Sequence, residues 1–158
     1  MLMLVRVVRD LTPEEVEEKI KEFERKFNMK FDEFEELFLE KRLNDELADI
    51  YFEWAELVDT YKGYVEDGQL DYTIEEIRNF KPEEISLLTP KRIQLLYQLA
   101  NLRVESINDL ARKTRRNVKN IYQDLKILSK LGFVKFRKNK GRNITPEVIA
   151  KEVIFMIR

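Results

Sequence analysis

The sequence contains no cysteine and no histidine, and its 158 residues include only four glycines, four prolines and one tryptophan. Without cysteine there is no disulfide, thiolate zinc site or thiol nucleophile, so nothing points to an oxidising compartment. Without histidine the commonest general base and the commonest metal ligand are missing, which excludes the usual catalytic triads and HExxH zinc sites. Carboxylate or lysine catalysis stays open on this ground alone. No apolar run approaches the roughly 18 residues that a membrane span needs. The opening Met1-Leu2-Met3-Leu4-Val5-Arg6-Val7-Val8-Arg9 is too short an apolar run for a signal peptide and meets an acidic segment directly. The expectation is a cytoplasmic protein with no membrane contact, no cofactor and no resident metal.

What is present in quantity is charge, at 37% of residues, beside 44% apolar side chains, the balance of a globular chain with one ordinary domain or two small ones. The formal net charge of −1 hides an asymmetry. Residues 1–88 hold 12 Lys/Arg against 25 Asp/Glu, net −13, whereas residues 89–158 hold 17 against 5, net +12. An acidic segment joined to a basic one is the pattern expected when one side meets nucleic acid and the other a different partner.

In the acidic half, Thr12-Pro13-Glu14-Glu15 reads as a helix start, with threonine at the N-cap, proline at the first helical position and a glutamate three residues after the cap. The stripe Val16, Ile20, Phe23 and Phe27 keeps to one helical face, and Asn28 ends it. Phe31, Phe34, Leu37 and Phe38 mark a short second helix whose polar positions are almost all acidic. A third helix over residues 44–66 carries Leu47, Ile50, Tyr51, Trp54, Leu57, Val58, Tyr61 and Val65 on one side. That approximate heptad suits a helix pair or dimer seam, or equally a stripe buried within one monomer. Phe31, Phe34, Tyr51, Trp54, Val58 and Tyr61 are the candidate partner or dimer contacts. Asp67-Gly68 signals a turn, and residues 69–88 form a connector ambiguous between short helices and one strand.

The basic half begins with a helix start at Thr89-Pro90 and inward positions Ile93, Leu96, Leu99 and Ala100. Ser106 caps a short helix over residues 107–113. After Thr114-Arg115-Arg116 a longer helix over residues 117–130 repeats Val118, Ile121, Leu125 and Leu128, and Gly132 closes it. A basic hairpin follows, Phe133 to Lys138 with a tip at Asn139-Lys140-Gly141-Arg142, and then a closing strand near residues 153–157. Helix, helix, turn, helix, basic hairpin is the order of a winged helix-turn-helix. The face away from the apolar stripe presents Arg116, Lys119, Asn120, Gln123 and Lys130, the donor types that pair with guanine, phosphate or adenine. Between residues 112 and 142 there are 12 Lys/Arg and one acid, Asp124, which is a phosphate-tracking composition. The candidate DNA contacts are Arg115, Arg116, Asn117, Lys119, Asn120, Gln123 and Lys126 around the helix, with Arg137, Lys138, Lys140 and Arg142 on the hairpin. Arg116, Asn120 and Gln123 are expected to reach bases, and the hairpin cations the backbone or minor groove.

The segments Leu88-Thr-Pro-Lys-Arg-Ile-Gln-Leu-Leu, Ile107-Asn-Asp-Leu-Ala-Arg-Lys-Thr, Val118-Lys-Asn-Ile-Tyr-Gln-Asp-Leu-Lys-Ile-Leu and Leu131-Gly-Phe-Val resemble the winged-helix predicted transcriptional regulators of archaea and bacteria that include toxin–antitoxin antitoxins. In the acidic half, Lys26-Phe-Asn-Met-Lys-Phe-Asp-Glu-Phe-Glu-Glu-Leu-Phe followed by Asp49-Ile-Tyr-Phe-Glu-Trp-Ala-Glu-Leu is similar to a short pattern in small prokaryotic antitoxins, Lys-x-x-Met-x-x-x-x-Phe ahead of an acidic helix with Glu-Trp. The resemblance implies that the acidic half holds a toxin or dimerises, while the basic half represses an operon.

The expected fold is therefore mainly α with a small β-hairpin wing: an acidic helical region over residues 1–68, a connector over 69–88 and a winged helix-turn-helix over 89–158. The expected function is a non-enzymatic, dimeric DNA-binding repressor that binds double-stranded DNA, with a basic toxin as a further partner. A winged helix used as a protein-docking or architectural module is the alternative. A carboxylate enzyme would use pairs such as Glu35/Glu36 or Asp45/Asp49 on Mg²⁺, but no nucleophile or glycine-rich phosphate loop converges with them.

Overall fold

The computed structural model describes residues 1–40, 44–138, 141 and 143–158. Among these the chain is mostly helical with small antiparallel sheets, and it divides into two compact units, Asp10–Ile74 and a second made of Met1–Arg9 with Glu75–Arg158. No helix among the described residues is long and apolar enough to cross a membrane.

The Asp10–Ile74 unit is built on α1 (Pro13–Phe27), α2 (Phe31–Leu39) and α3 (Ala48–Asp67), the last preceded by a 3-10 turn at Asp45–Leu47. The start of α1 is a complete capping box: Thr12 Oγ1 accepts from the Glu15 amide at 3.2 Å and Glu15 Oε1 accepts from the Thr12 amide at 3.1 Å, which satisfies two otherwise orphaned donors. Asn28 ends the helix in the left-handed region at φ 52°, a conformation asparagine tolerates better than most residues, and Gly68 ends α3 at φ 76°. Helices α1 and α2 both pack on α3. Leu11, Val16 and Leu57 form a buried nucleus with Ile20, Phe23 and Tyr61 against it.

Beside that nucleus lies an aromatic cluster. Trp54, with 0% of its surface exposed, stacks on Phe23 at 5.3 Å between ring centres and meets Phe34 at 5.0 Å and Phe31 at 5.5 Å. Tyr51 stacks on Phe38 at 4.1 Å. The heptad-like stripe of α3 is thus filled from within the same unit, and Phe34 and Trp54 belong to its core rather than to a dimer or partner surface. Phe31 and Tyr51 stack on each other at 5.7 Å, and Val58 and Tyr61 are half-buried, which leaves none of the six expected partner contacts freely exposed. The exposed large apolar side chains of α3 are Val65, at the uncovered end of that stripe, and Phe52, outside it.

The other unit begins with a strand that no alternation in the sequence marks. Strand β1 (Met3–Asp10) buries Val5 and Val7 and lies at the centre of a three-stranded sheet ordered β2-β1-β5. Strand β2 (Thr73–Phe80) and the single turn α4 (Pro82–Ile85) replace the ambiguous connector, and β5 is Ala150–Phe155. The β1/β5 pairing is antiparallel from Val5↔Phe155 to Val8↔Glu152, then shifts register at Arg9↔Ala150. The first nine residues therefore belong with the C-terminal half rather than with the acidic helices. Helices α5 (Pro90–Asn101), α6 (Ile107–Thr114) and α7 (Val118–Lys130) follow, then the antiparallel hairpin β3 (Val134–Lys138) and β4 (Ile144–Val148). Leu95, Leu110, Ile121, Leu125, Leu128 and Phe133 form a shared core with Val5 and Val7.

Gly132 carries the turn after α7 at φ 82°, and the Arg78 guanidinium lies so close that an added Cβ would sit 2.4 Å from Nη1. Arg78 Nη1 donates to the Leu131 carbonyl at 2.9 Å, and Glu76 accepts from Arg9 and Arg78, each at 2.7 Å. These bonds clamp β1 and β2 to the end of α7.

The redistribution of residues does not alter the electrostatic division. Residues 10–74 hold 8 Lys/Arg against 21 Asp/Glu, net −13, and the remainder hold 21 against 9, net +12.

Candidate nucleic-acid interface

Helix α6 is capped by Ser106, whose hydroxyl accepts from the Asp109 amide at 3.0 Å. Arg115 terminates it in the left-handed region at φ 55°, turning the chain within three residues into α7. Asn117 opens α7 by accepting from the Lys119 amide at 2.8 Å. The oxygen of this expected DNA contact therefore serves the helix cap, and its amide nitrogen donates to no group among the described residues.

Along α7 the core takes Ile121, Asp124, Leu125 and Leu128. At about 100° per residue the opposite arc runs from Val118 through Tyr122, Lys126, Lys119, Lys130 and Gln123 to Asn120, all seven exposed, with the half-buried Ser129 and Ile127 near its two edges. Val118 is 44% exposed and Tyr122 is 45% exposed. Val118 thus departs from the inward stripe: it stands in the first turn, about 70° off the centre of the buried face. Tyr122 was missed by sequence reasoning, although its position four residues after Val118 places it on the same edge. Its ring carries the Lys126 ammonium at 5.6 Å and lies 6.4 Å from Phe136 on the hairpin.

Asp124, the lone acid of the 112–142 stretch, points inward. Arg116 Nη2 donates to its Oδ2 at 2.6 Å and Arg92 Nε to its Oδ1 at 3.0 Å, while Arg92 Nη1 donates to the Leu87 carbonyl. All three side chains are largely shielded from solvent, with at most 21% of each exposed. Arg116 is consequently an anchored residue that joins the start of α7 to α5, not the free base-reading arginine that its sequence position indicated. Asn120 and Gln123 border the open depression beside this triad, with Thr89, Pro90 and Lys91 on its other side.

Similar compensation occurs on the hairpin. Arg137 Nε donates to Glu147 Oε1 at 2.6 Å, and Lys135 lies 3.6 Å from the same carboxylate, directly across the strand pair. Arg137 is therefore partly neutralised, while Lys138 is exposed. Lys140 and Arg142 lie outside the described residues. On α6, Asp109 accepts from the Glu105 amide at 3.0 Å and pairs with Lys113 at 3.1 Å and Arg112. The backbone donor first, then Lys113, holds the Asp109 carboxyl below the usual range. Among the described residues, no group of three or more acids is arranged to hold a metal ion.

Among the described residues, the exposed cations near α7 that no carboxylate engages are Lys91, Arg115, Lys119, Lys126, Lys130 and Lys138, with the amides of Asn120 and Gln123 between them. A family model described as HVO_A0114 matches residues 87–155, which take in α5 to β5 and leave out the acidic unit. No curated protein and no solved structure matches the chain.

Proposed function

We propose that this chain is a DNA-binding transcriptional regulator in which α5 to α7 and the β3–β4 hairpin act as a winged helix-turn-helix, with α7 in the major groove of double-stranded DNA. The observation that carries the reading is the outward arc of α7: lysines, carboxamides and two apolar side chains with no acid, while the helix's one carboxylate faces inward between two arginines. Phosphate contacts want the lysines, and base edges want the amides.

The acidic unit is assigned a separate, basic protein partner. Its net −13 supports this, as does Phe52, which is 63% exposed on α3 between Asp49, Glu53 and Glu56. Such a partner meets the α3 surface at Phe52, because Trp54 is buried.

Binding of the purified full chain to duplex DNA, taken from upstream of its own coding region and followed by fluorescence anisotropy across a salt series, tests the DNA reading. Affinity is expected to fall linearly on a log–log plot, and replacing Lys119, Lys126 or Lys130 by alanine is expected to reduce the slope by about one each. Absence of any salt-dependent binding to duplex DNA would overturn the proposal.

A further inference from the structure

We infer that α7 selects A·T base pairs, with Asn120 and Gln123 on the adenine edge and Val118, supported by Tyr122, on the thymine methyl group. The inference rests on the DNA reading above and adds to it what the helix recognises.

Three features lead to it. The side chain best suited to guanine, Arg116, is held at 2.6 Å by Asp124. With Nη2 donating to that carboxylate and 21% of the side chain exposed, the guanidinium is held back from presenting its fork to the O6 and N7 of guanine. The cations left at the start of α7 are Arg115, in the turn before the helix, and Lys119. Arg115 stands in the turn rather than on the helix, and Lys119 offers guanine a point charge in place of arginine's planar fork.

The exposed side chains of the first two turns are also of the kinds that fit an A·T pair. Carboxamides match the paired donor and acceptor that adenine displays in the major groove, and the thymine methyl is the one apolar feature there. Asn120 and Gln123 have no hydrogen-bond partner among the described residues. Their positions on α7 set them on one side of Lys119, and Val118 and Tyr122 on the other.

Finally, Val118 has no structural reason to be valine. With 44% of its surface exposed in the first turn it adds little to the core, and a β-branched residue there is a weaker helix former than alanine or lysine. Contact with a methyl group accounts for it.

The test is selection of binding sites by the full chain from random duplex DNA, followed by anisotropy titrations on the selected site. Each thymine is replaced in turn by uracil, which removes only the methyl. Expected are A·T-containing half-sites and a loss of about threefold to fourfold for one uracil position, a loss that disappears in Val118→Ala. Asn120→Ala and Gln123→Ala should flatten the adenine preference while leaving affinity for unrelated DNA in place. Selected sites centred on G·C, no sequence preference, or a uracil penalty undiminished in Val118→Ala would overturn the inference and leave DNA binding standing. Failure to bind any duplex at low salt would overturn both.

Discussion

The two units use charge and aromatic side chains in opposite ways. In the acidic unit the aromatic rings of Phe23, Phe27, Phe31, Phe34 and Trp54 turn inward on one another, and acids such as Asp32, Glu33, Glu36, Asp49 and Glu53 face solvent. In the basic unit aliphatic residues make most of the core, and the acids Glu76, Asp109, Asp124 and Glu147 each hold at least one arginine or lysine. A net charge of +12 therefore overstates the cations offered to a ligand, because the arginines that lie nearest the core are the ones already engaged. Lysine, whose compact ammonium is the more strongly hydrated head, is what remains on the outward arc of α7.

The largest expected break falls on the aromatic core. Trp54→Ala removes the ring that Phe23, Phe31 and Phe34 share, and a loss of about 3–5 kcal/mol follows from comparable core truncations. Hydrogen exchange should report it as lost protection across residues 10–74. Trp54→Phe separates packing from polarity at the same position: the Nε1 donor is buried without a hydrogen-bond partner, so removing it offsets much of the smaller ring's cavity, and the loss should stay well below that of Trp54→Ala. In the basic unit the corresponding break is Gly132→Ala. Its Cβ has to displace the Arg78 guanidinium, and the left-handed backbone disfavours any side chain. A cost of about 2–3 kcal/mol combines the left-handed penalty with one lost hydrogen bond, measured as a lower denaturation midpoint.

How much of this was legible in the sequence depends on whether the determinant is local. The Thr12-Pro13-Glu14-Glu15 box, the Asn28 and Gly68 caps, and the order of α5, α6, α7 and the hairpin are written within a few residues of where they act, and they appear where the pattern puts them. Strand β1 was not legible, because Leu2, Met3 and Leu4 blur the alternation of Val5 and Val7, and its partner β5 lies at the other end of the chain. Trp54 and Phe34 have the same spacing whether a stripe is covered by a second chain or by α1 and α2, so only tertiary structure distinguishes the cases. The same holds for the candidate site. The outward exposure of Asn120, Gln123 and Lys119 is legible because outward direction follows from helical period. The anchoring of Arg116 was hidden because its partners are 8 residues away at Asp124 and, through that carboxylate, 32 residues from Asp124 at Arg92.

A middle-sized effect sharpens the contrast between engaged arginines and free lysines. Asp124→Asn retains the shape of the residue but removes the charge between Arg92 and Arg116, and a partly shielded charge-assisted pair of this kind contributes about 1–2 kcal/mol. The more telling readout is recognition. Arg116, released at the start of α7, should add guanine to the selected sites, whereas Lys126→Ala, on the arc itself, should change only the salt slope. If Asp124→Asn leaves the selected sites unaltered at a temperature where circular dichroism shows the chain folded, Arg116 does not lie within reach of bases.

The smallest effects are those of pH, and they divide the units by sign. In the basic unit Glu76 is held below the usual carboxyl range, chiefly by the hydrogen bond from Arg9, and Asp109 likewise by the Glu105 amide and Lys113. A carboxyl lowered on folding stabilises the native state at pH values above its unfolded pKa, about 4, and that contribution is lost as pH falls through the native value. In the acidic unit the shifted groups are tyrosines: Tyr51 is raised mainly by its hydrogen bond to Glu35 and Tyr72 mainly by burial. A phenol raised on folding contributes fully below its unfolded pKa of about 10, and that contribution disappears as pH climbs through the native value. Trp54 is the sole tryptophan and lies in the acidic unit, so its fluorescence reports that unit's melting while circular dichroism at helix wavelengths reports both. Between neutral pH and about pH 3 the dichroism midpoint should fall more than the fluorescence midpoint. Above about pH 10 the order should reverse, and Tyr51→Phe, which removes the titrating hydroxyl beside Glu35, should reduce the alkaline fall in the fluorescence signal. Coincident midpoints at both extremes would mean that the units melt together and that the contrast in their ion pairing has no consequence for stability.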